Sequence, residues 1–273
     1  MSPTYGLVKD ITPKDTHWAL RLRLVRMYEN VSDEGAVRGL ECVFHDRELQ
    51  RIHATIKSFH TPQFKDVLKE GLLYKIRHFM VATDGKDYKT TTNKYKIIFF
   101  KKTKVFEFED ATFPNEVYKF RQFETILSTK ILNEKEMFDV ICVVVGKYGL
   151  KELTYNNRPH KIMEIVVCDN MMRQLRCSLW DQYADQILPY MADDYPGPVI
   201  LILQFCRAKM FQGEPKLCDS LNITKLIVNG DGVEFQNFKD SIVDRTALSQ
   251  TITTLSATYK PFLDELNSLV MPL

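Results

Sequence analysis

The chain has 273 residues, of which 45% are hydrophobic, and its 37 basic side chains nearly balance 35 acidic ones. This composition excludes intrinsic disorder, and the length suits one large domain or two small ones, each with its own core. No window reaches the roughly 18 apolar residues of a membrane span, and charged residues occupy the N-terminal stretch where a secretory signal is apolar. We therefore expect a soluble intracellular protein. The near-neutral charge excludes a polybasic tail that coats nucleic acid.

Short runs rich in β-branched and aromatic residues dominate the first 230 positions and predict a mainly β protein. Most of these runs end in turn residues. Ten strands are predicted, at residues 18–27, 39–45, 51–56, 72–82, 94–100, 138–147, 162–167, 174–179, 199–206 and 217–228. They fall into two sets of five.

The two sets repeat one plan. Residues 52–57 align with 175–180, because apolar and polar positions alternate in the same phase. A short segment of helical character follows each, at 61–69 and 182–191, and a glycine then precedes the next apolar strand. Three strands, a helix and a two-stranded hairpin are the order of an oligonucleotide-binding (OB) barrel. The sequence therefore predicts two tandem five-stranded OB-fold barrels, each with a short helix.

The predicted domain organisation has four parts. The first OB-fold domain is expected at 1–112, a linker at 113–135, the second OB-fold domain at 136–238 and a C-terminal tail at 239–273. Phe120 and Phe123 in the linker are expected to dock on the second barrel. The tail contains apolar residues at helical spacing between positions 259 and 270. This amphipathic helix either packs on its own barrel or binds a partner protein.

No motif for catalysis is found. The six histidines are scattered, and no C-x-x-C pair, phosphate-binding loop or nucleophile elbow is present. We therefore expect neither an enzyme nor a metal site, and no cofactor. The six cysteines fall mostly in apolar runs and are expected to be small buried thiols rather than zinc ligands or disulfides.

Candidate binding residues are easier to find. In an OB barrel, aromatic rings at strand ends and hairpin tips stack on bases, while Lys and Arg side chains follow the phosphates. The candidates in the first copy are Arg26, Tyr28, His53, Lys57, Tyr88 and Lys96. Those in the second copy are Lys147, Lys161, Arg176, Trp180, Arg207, Lys209 and Phe211. Trp180 and Phe211 have an alternative interpretation as core rings of the barrel.

Two further arginines alternate in the first strand. Arg21 and Arg23 are two positions apart, so they lie on one face of that strand. A solvated sheet face and a ligand contact explain this spacing equally well.

At these residues the sequence resembles the tandem DNA-binding OB domains of the replication protein A large subunit, especially the expanded plant set. The resemblance covers about residues 5–235 and rests on the order and spacing of several short motifs. These are His-Trp-Ala-Leu-Arg-Leu-Arg at 17–23, Arg-Met-Tyr at 26–28, Leu-Lys-Glu-Gly at 68–71, Tyr-Lys-Ile at 74–76 and Phe-Pro at 113–114.

The resemblance implies single-stranded DNA binding by two stacking aromatics per domain. In the second domain the pair falls on Trp180 and Phe211, with Arg207 at the basic position before the hairpin. In the first domain one falls on Tyr88, whereas Lys57 occupies the other position. This departure exchanges a stacking contact for a phosphate contact.

The family's N-terminal protein-docking domain and its third OB domain, with a four-cysteine zinc ribbon that assembles the heterotrimer, have no counterpart here. We therefore expect a short paralogue or a fragment and do not infer heterotrimer membership. The leading hypothesis is sequence-independent binding of single-stranded DNA in the nucleus, in replication, repair or recombination, with RNA as an alternative ligand. The competing hypothesis is an OB-fold protein-protein interaction module that has lost nucleic-acid binding.

Overall fold

The computed structural model describes residues 5–14, 18–32, 35–85, 88–155, 158–243 and 252–255. The chain divides into two compact units, Met1–Tyr118 and Lys119–Leu273. Each unit consists mainly of one curled β-sheet, as the sequence predicts. The unit boundary lies within the predicted linker, and the finer domain limits stay a prediction.

The first unit contains seven strands and one short helix among its described residues. They are β1 (Ala19–Val31), β2 (Val37–His45), β3 (Arg51–Lys57), α1 (Thr61–Phe64), β4 (Leu73–Arg77), β5 (Met80–Thr83), β6 (Tyr95–Phe99) and β7 (Lys104–Phe108). The strand order is β5-β6-β3-β2-β1-β4-β7. Neighbouring strands are antiparallel except for β3 and β6, which are parallel.

Alternation along β1 shows why this segment is a strand. Leu20, Leu22 and Leu24 are fully buried in the core, whereas Arg21 and Arg23 between them point outward. A period of two is the geometry of a strand with one buried face. Alternate residues of β2, β3, β4 and β6 also point inward, and their apolar side chains complete the core of this unit.

The second unit repeats this architecture with additions. Its elements are α2 (Phe123–Ser128), β8 (Phe138–Lys147), β9 (Lys151–Tyr155), β10 (Arg158–Cys168), β11 (Gln174–Trp180), α3 (Gln182–Ile187), β12 (Ile200–Phe211), β13 (Glu214–Cys218), β14 (Lys225–Val228), α4 (Val233–Ser241) and β15 (Thr253–Thr254). Strands β11 and β13 are parallel, as β3 and β6 are in the first unit. Strand β9 pairs with the start of β10 as the end of β1 pairs with the start of β2 in the first unit, and the short strand β15 pairs with β8.

The prediction of ten strands is wrong in number, although each predicted segment contains a strand. Residues 72–82 form both β4 and β5, because His78 between them adopts a left-handed backbone (φ 57°) that interrupts the strand. Residues 217–228 contain part of β13 and the separate strand β14. Strands β7, β9 and β15 lie outside the predicted segments.

The helices also differ from the prediction. Only Thr61–Phe64 of the predicted segment 61–69 is α-helical, and α4 was not predicted. The predicted amphipathic helix at 259–270 lies outside the described residues. Within the described part of the chain, no helix is long and apolar enough to cross a membrane.

Aromatic residues of the predicted linker belong to different cores. The ring of Phe113 is 4% exposed and packs in the first unit against His45 and Phe108. Phe123 and Ile126 of α2 are buried in the core of the second unit. This segment therefore contributes to the packing of both units.

Candidate nucleic-acid interface

The first candidate surface is the outward side of β2, β3 and β6, which is the ligand face of an OB barrel. The strand registers place Val43, His53 and Lys96 side by side across these strands. The next row runs from Tyr28 in β1 through Glu41 to Thr55. Arg26 of β1 pairs with Val43 in the first row, and Lys57 follows Thr55 by two positions. Five of the six residues predicted for this barrel therefore lie on one continuous surface or at its end.

A buried polar network occupies the middle of this face. Nε2 of His53 lies 2.6 Å from Oε2 of Glu41, and its Nδ1 lies 2.9 Å from the hydroxyl of Thr90. The Thr55 hydroxyl and the Asn30 amide also donate to Glu41, at 2.8 and 3.0 Å. His53 is fully buried, and Thr90 belongs to the connection between β5 and β6. That connection therefore covers the centre of the face.

The other predicted residues of the first unit differ in exposure. Arg26 pairs with Glu70 at 2.8 Å, and Lys96 lies 4.0 Å from Asp84. Tyr28 is buried, and this burial raises the pKa of its hydroxyl well above the ordinary value. Tyr88 is half-buried, whereas Lys57 at the end of β3 is exposed and has no ion-pair partner among the described residues.

The second unit presents an equivalent face on β10, β11 and β13. Val166, Arg176 and Lys216 form one row, and Glu164, Ser178 and Cys218 form the next. Arg176 thus occupies the place of His53, and Glu164 occupies the place of Glu41. Trp180 similarly corresponds to Lys57.

Trp180 lies under the hairpin of β9 and β10. Its side chain is 4% exposed and packs against Ile162 of β10 and Leu153 of β9. Beside it, Nδ1 of His160 lies 2.9 Å from the Asp181 carboxylate, and the backbone N–H of Lys161 donates to the same carboxylate. The hairpin therefore covers the ring that was predicted to stack on a base.

The backbone of Trp180 is held by a buried acid. Its N–H donates to Oδ1 of Asp219 at 2.9 Å, and Asp219 is 2% exposed. Burial raises the pKa of Asp219 to about 7, although the hydrogen bond from Trp180 and the nearby charge of Arg207 act in the opposite direction. Arg207 is itself buried, and its Nε donates to the Ser220 hydroxyl at 2.8 Å.

Several predicted cations of the second unit form internal ion pairs. Lys147 lies 2.5 Å from Asp193, and Lys161 lies 2.7 Å from Asp185. Lys209 and Phe211 are partly exposed near the turn between β12 and β13. Arg176 differs from the two paired lysines, because it is exposed and forms no ion pair with any described residue.

Tyr28, His53, Trp180 and Arg207 are thus buried, and their contact with nucleic acid stays a prediction that requires covering segments to move. The residues that sequence reasoning missed are Glu41, Glu164 and Lys216. Lys216 lies 2.5 Å from Glu164 and 5.2 Å above the ring of Phe211. The alignment of 52–57 with 175–180 would have revealed the two glutamates, had it been extended backward to the preceding strands.

The thiols bear on the predicted absence of disulfides and zinc ligands. All six cysteines are free and buried, as predicted, and burial raises the pKa of the Cys42 and Cys142 thiols. Among the described residues, no group of three His, Cys, Asp or Glu side chains is arranged to hold a metal ion.

Comparisons with known proteins give the family context. A family model described as "Domain of unknown function DUF223" matches residues 9–129. A replication protein A 70 kDa DNA-binding subunit of Arabidopsis thaliana is 24% identical over 241 residues, covering 84% of this chain and 38% of that protein. Replication factor A protein 1 of Schizosaccharomyces pombe is 24% identical over 184 residues, covering 65% of this chain and 29% of that protein. The chain thus spans well under half the length of these curated relatives.

A solved structure of a replication protein A heterotrimer bound to ssDNA contains a chain with a similar fold. The TM-score is 0.63 at 20% sequence identity, and the alignment covers 91% of this chain and 57% of that chain. The protein is therefore of the tandem OB-fold class. Its resemblance to the large subunit of replication protein A is confirmed by the plant and yeast relatives.

Proposed function

We propose that this chain binds single-stranded DNA without catalysing a reaction on it and without marked sequence preference. The observation that carries the proposal is the extent of the similarity to the Arabidopsis DNA-binding protein, which covers 84% of the chain. The alignment is therefore too long to be confined to one barrel. Each barrel has an equivalent ligand face and so provides a binding site of its own. Such sites depend on base stacking rather than on recognition of base edges.

The exposed residues are the first contacts of the strand. Lys57 and Arg176 can reach phosphates without breaking an ion pair within the described chain. Tyr88 and Phe211 are partly exposed rings on which bases can stack, at about 1–3 kcal/mol per base. Trp180 becomes a third ring on which a base can stack once the β9–β10 hairpin moves away from it.

The names of the relatives support a proposal for the biological setting. Proteins named as replication protein A subunits act on DNA, so we infer a nuclear role in replication, repair or recombination, with RNA as a second ligand to test. The tail at 239–273 is proposed to contact a protein partner. Membership of a heterotrimer is not part of the proposal, since the chain matches only part of each relative.

The test is a titration of the full chain with a fluorescein-labelled oligothymidine of about 30 nucleotides, followed by anisotropy at about 50 mM salt. A duplex of the same length is titrated in parallel. Lys57→Gln/Arg176→Gln is expected to weaken single-strand binding about tenfold, because one phosphate contact is lost in each barrel. The matched control Lys69→Gln/Lys130→Gln also removes one exposed cation from each unit, outside all strands.

Preferential single-strand binding, weakened by the first variant and not by the control, supports the proposal. Absence of binding by the wild type at low salt refutes it. Equal weakening by both variants refutes the assignment of the ligand faces, because binding would then depend only on net charge.

A second candidate function is protein docking by barrels that no longer bind nucleic acid. It is favoured by the ion pairs of Lys147 and Lys161 and by the burial of Trp180, which leave few free contacts on the second ligand face. The same titration separates the candidates, since a docking module would not distinguish single-stranded DNA from the duplex.

A further inference from the structure

A second charged surface lies on another side of the first barrel. It is the outward face of β1, β4 and β7, which we call the β4 face. Its outward residues are Arg21, Arg23, Leu73, Lys75, Arg77, Lys104, Phe106 and Phe108. Arg21, Lys75 and Phe106 form one row across the three strands, and Ala19, Arg77 and Lys104 form another.

The cations of this face lie over aromatic rings. The Arg21 guanidinium lies 4.7 Å from the ring centre of Tyr5, and Arg77 lies 5.2 Å from that of Phe106. The Lys75 amine lies 5.0 Å from the ring centre of Phe108. Such cation-π contacts orient a charged group without neutralising it.

These groups form no ion pair with a described carboxylate, although Asp110, whose pKa is lowered mainly by hydrogen bonds from Thr112, is also within electrostatic reach of Arg21. Arg21, Lys75 and Arg77 have no acidic partner within ion-pairing distance among the described residues, and Nε of Arg77 has no hydrogen-bond partner there. In the second barrel, by contrast, Lys147, Lys161 and Lys216 are each paired with an acid, although Arg176 is not. The β4 face therefore has a net positive charge that an external anion can neutralise.

Arg23 differs from the other cations of this face, because its guanidinium forms hydrogen bonds within the protein. Its three nitrogens donate to the backbone carbonyls of Gly71, Phe113 and Pro114. Beside it, a small cavity is lined by Tyr5, Gly6, Leu7, Arg21, Arg47 and Phe113. A guanidinium thus borders an open concavity on this face.

The free edge of β7 indicates an extended ligand. Among the described residues, β7 pairs with β4 on one side and with no strand on the other. An extended segment that crosses the face from this edge would pass Phe106, Lys75 and Arg21 in turn, because neighbouring strands lie about 4.8 Å apart. Lys101 and Lys102, exposed just before β7, extend the positive charge along that edge.

We propose that the β4 face binds an acidic protein segment, in extended conformation, whose carboxylates pair with Arg21, Lys75 and Arg77. A carboxylate suits this surface because a guanidinium binds it with two parallel hydrogen bonds, and two of the three cations, Arg21 and Arg77, are arginines.

The test uses a fluorescein-labelled peptide of about 12 residues that alternates Glu with Val, so that its carboxylates share one side of a strand. The full chain is titrated with it at about 50 mM salt, with a Lys-Val peptide as the charge control. The triple variant Arg21→Gln/Lys75→Gln/Arg77→Gln is compared with Lys65→Gln/Lys69→Gln/Lys130→Gln, which removes the same charge elsewhere. Urea unfolding of both variants checks that each is folded.

The expected result is binding of the Glu-Val peptide alone, weakened at least about tenfold by the first triple variant and little by the second. Binding of the oligothymidine is expected to be the same in both variants. The proposal is overturned if the wild type does not bind the acidic peptide, or if both triple variants bind it equally. It is also overturned if the β4-face variant loses DNA affinity, since the surface then serves the nucleic acid. Single Lys75→Gln replaces the triple variant should the latter not fold.

Discussion

At the scale of single residues, Asp219 links the position of Trp180 to pH. The pKa of Asp219 is raised to about 7 by burial, against about 3.9 in an unfolded chain. Folding therefore favours the protonated acid. The stabilisation of the folded state by protonated Asp219 is complete below about pH 4. It declines as the pH rises and is lost above about pH 7.

The variant Asp219→Asn cannot titrate but keeps an oxygen that accepts the Trp180 N–H. Its free energy of unfolding should therefore rise relative to that of the wild type between about pH 5 and pH 8. The measurement is urea unfolding at both pH values, followed by Trp180 fluorescence in a Trp18→Phe background. The control is Asp194→Asn, because the Asp194 carboxylate is exposed. The free energy of unfolding of this variant should differ from that of the wild type by the same amount at both pH values. A pH-independent difference for Asp219→Asn would show that Asp219 is ionised in the folded protein throughout this range.

At the scale of elements, the β9–β10 hairpin decides whether Trp180 can meet a ligand. Leu153 of β9 is the hairpin residue outside β10 that packs on the ring. Removing its apolar side chain weakens this contact, because the burial of Leu153 against the ring helps to hold β9 in place.

Leu153→Ser, made in the Trp18→Phe background, should increase acrylamide quenching of Trp180 about twofold and shift its emission to longer wavelength. The matched variant Leu127→Ser, at an exposed position of α2, should leave both properties unchanged. Unaltered quenching in Leu153→Ser would mean that the ring stays covered by other residues. A hairpin that opens would explain how a buried ring and a stacking function coexist in one fold.

At the scale of the whole molecule, local alternation and its repetition were enough to predict two OB barrels. The equivalence of 52–57 and 175–180 is visible in the strand registers, because the period of two fixes which side chains share a face. The site was harder to predict. The burial of Trp180 depends on Leu153, which is distant in sequence, and the burial of His53 depends on Thr90. A single-sequence pattern reports the strand on which a side chain lies, but it does not report what covers that side chain.

The ion pairs on both barrels predict how strongly salt weakens single-strand binding. Of the thirteen predicted ligand residues, Lys57 and Arg176 are the exposed cations that form no ion pair with described residues, whereas Arg26, Lys96, Lys147 and Lys161 have acidic neighbours. If internal pairs persist in the complex, about two phosphates are neutralised, and log K for a single strand falls with log salt at a slope of about −1.4. Oligothymidine titrations between about 50 and 200 mM salt measure this slope. A slope near −4 or steeper would contradict the expectation, because the paired lysines must then exchange their carboxylates for phosphates.

In Lys57→Gln/Arg176→Gln the slope should approach zero, and in Lys69→Gln/Lys130→Gln it should equal that of the wild type.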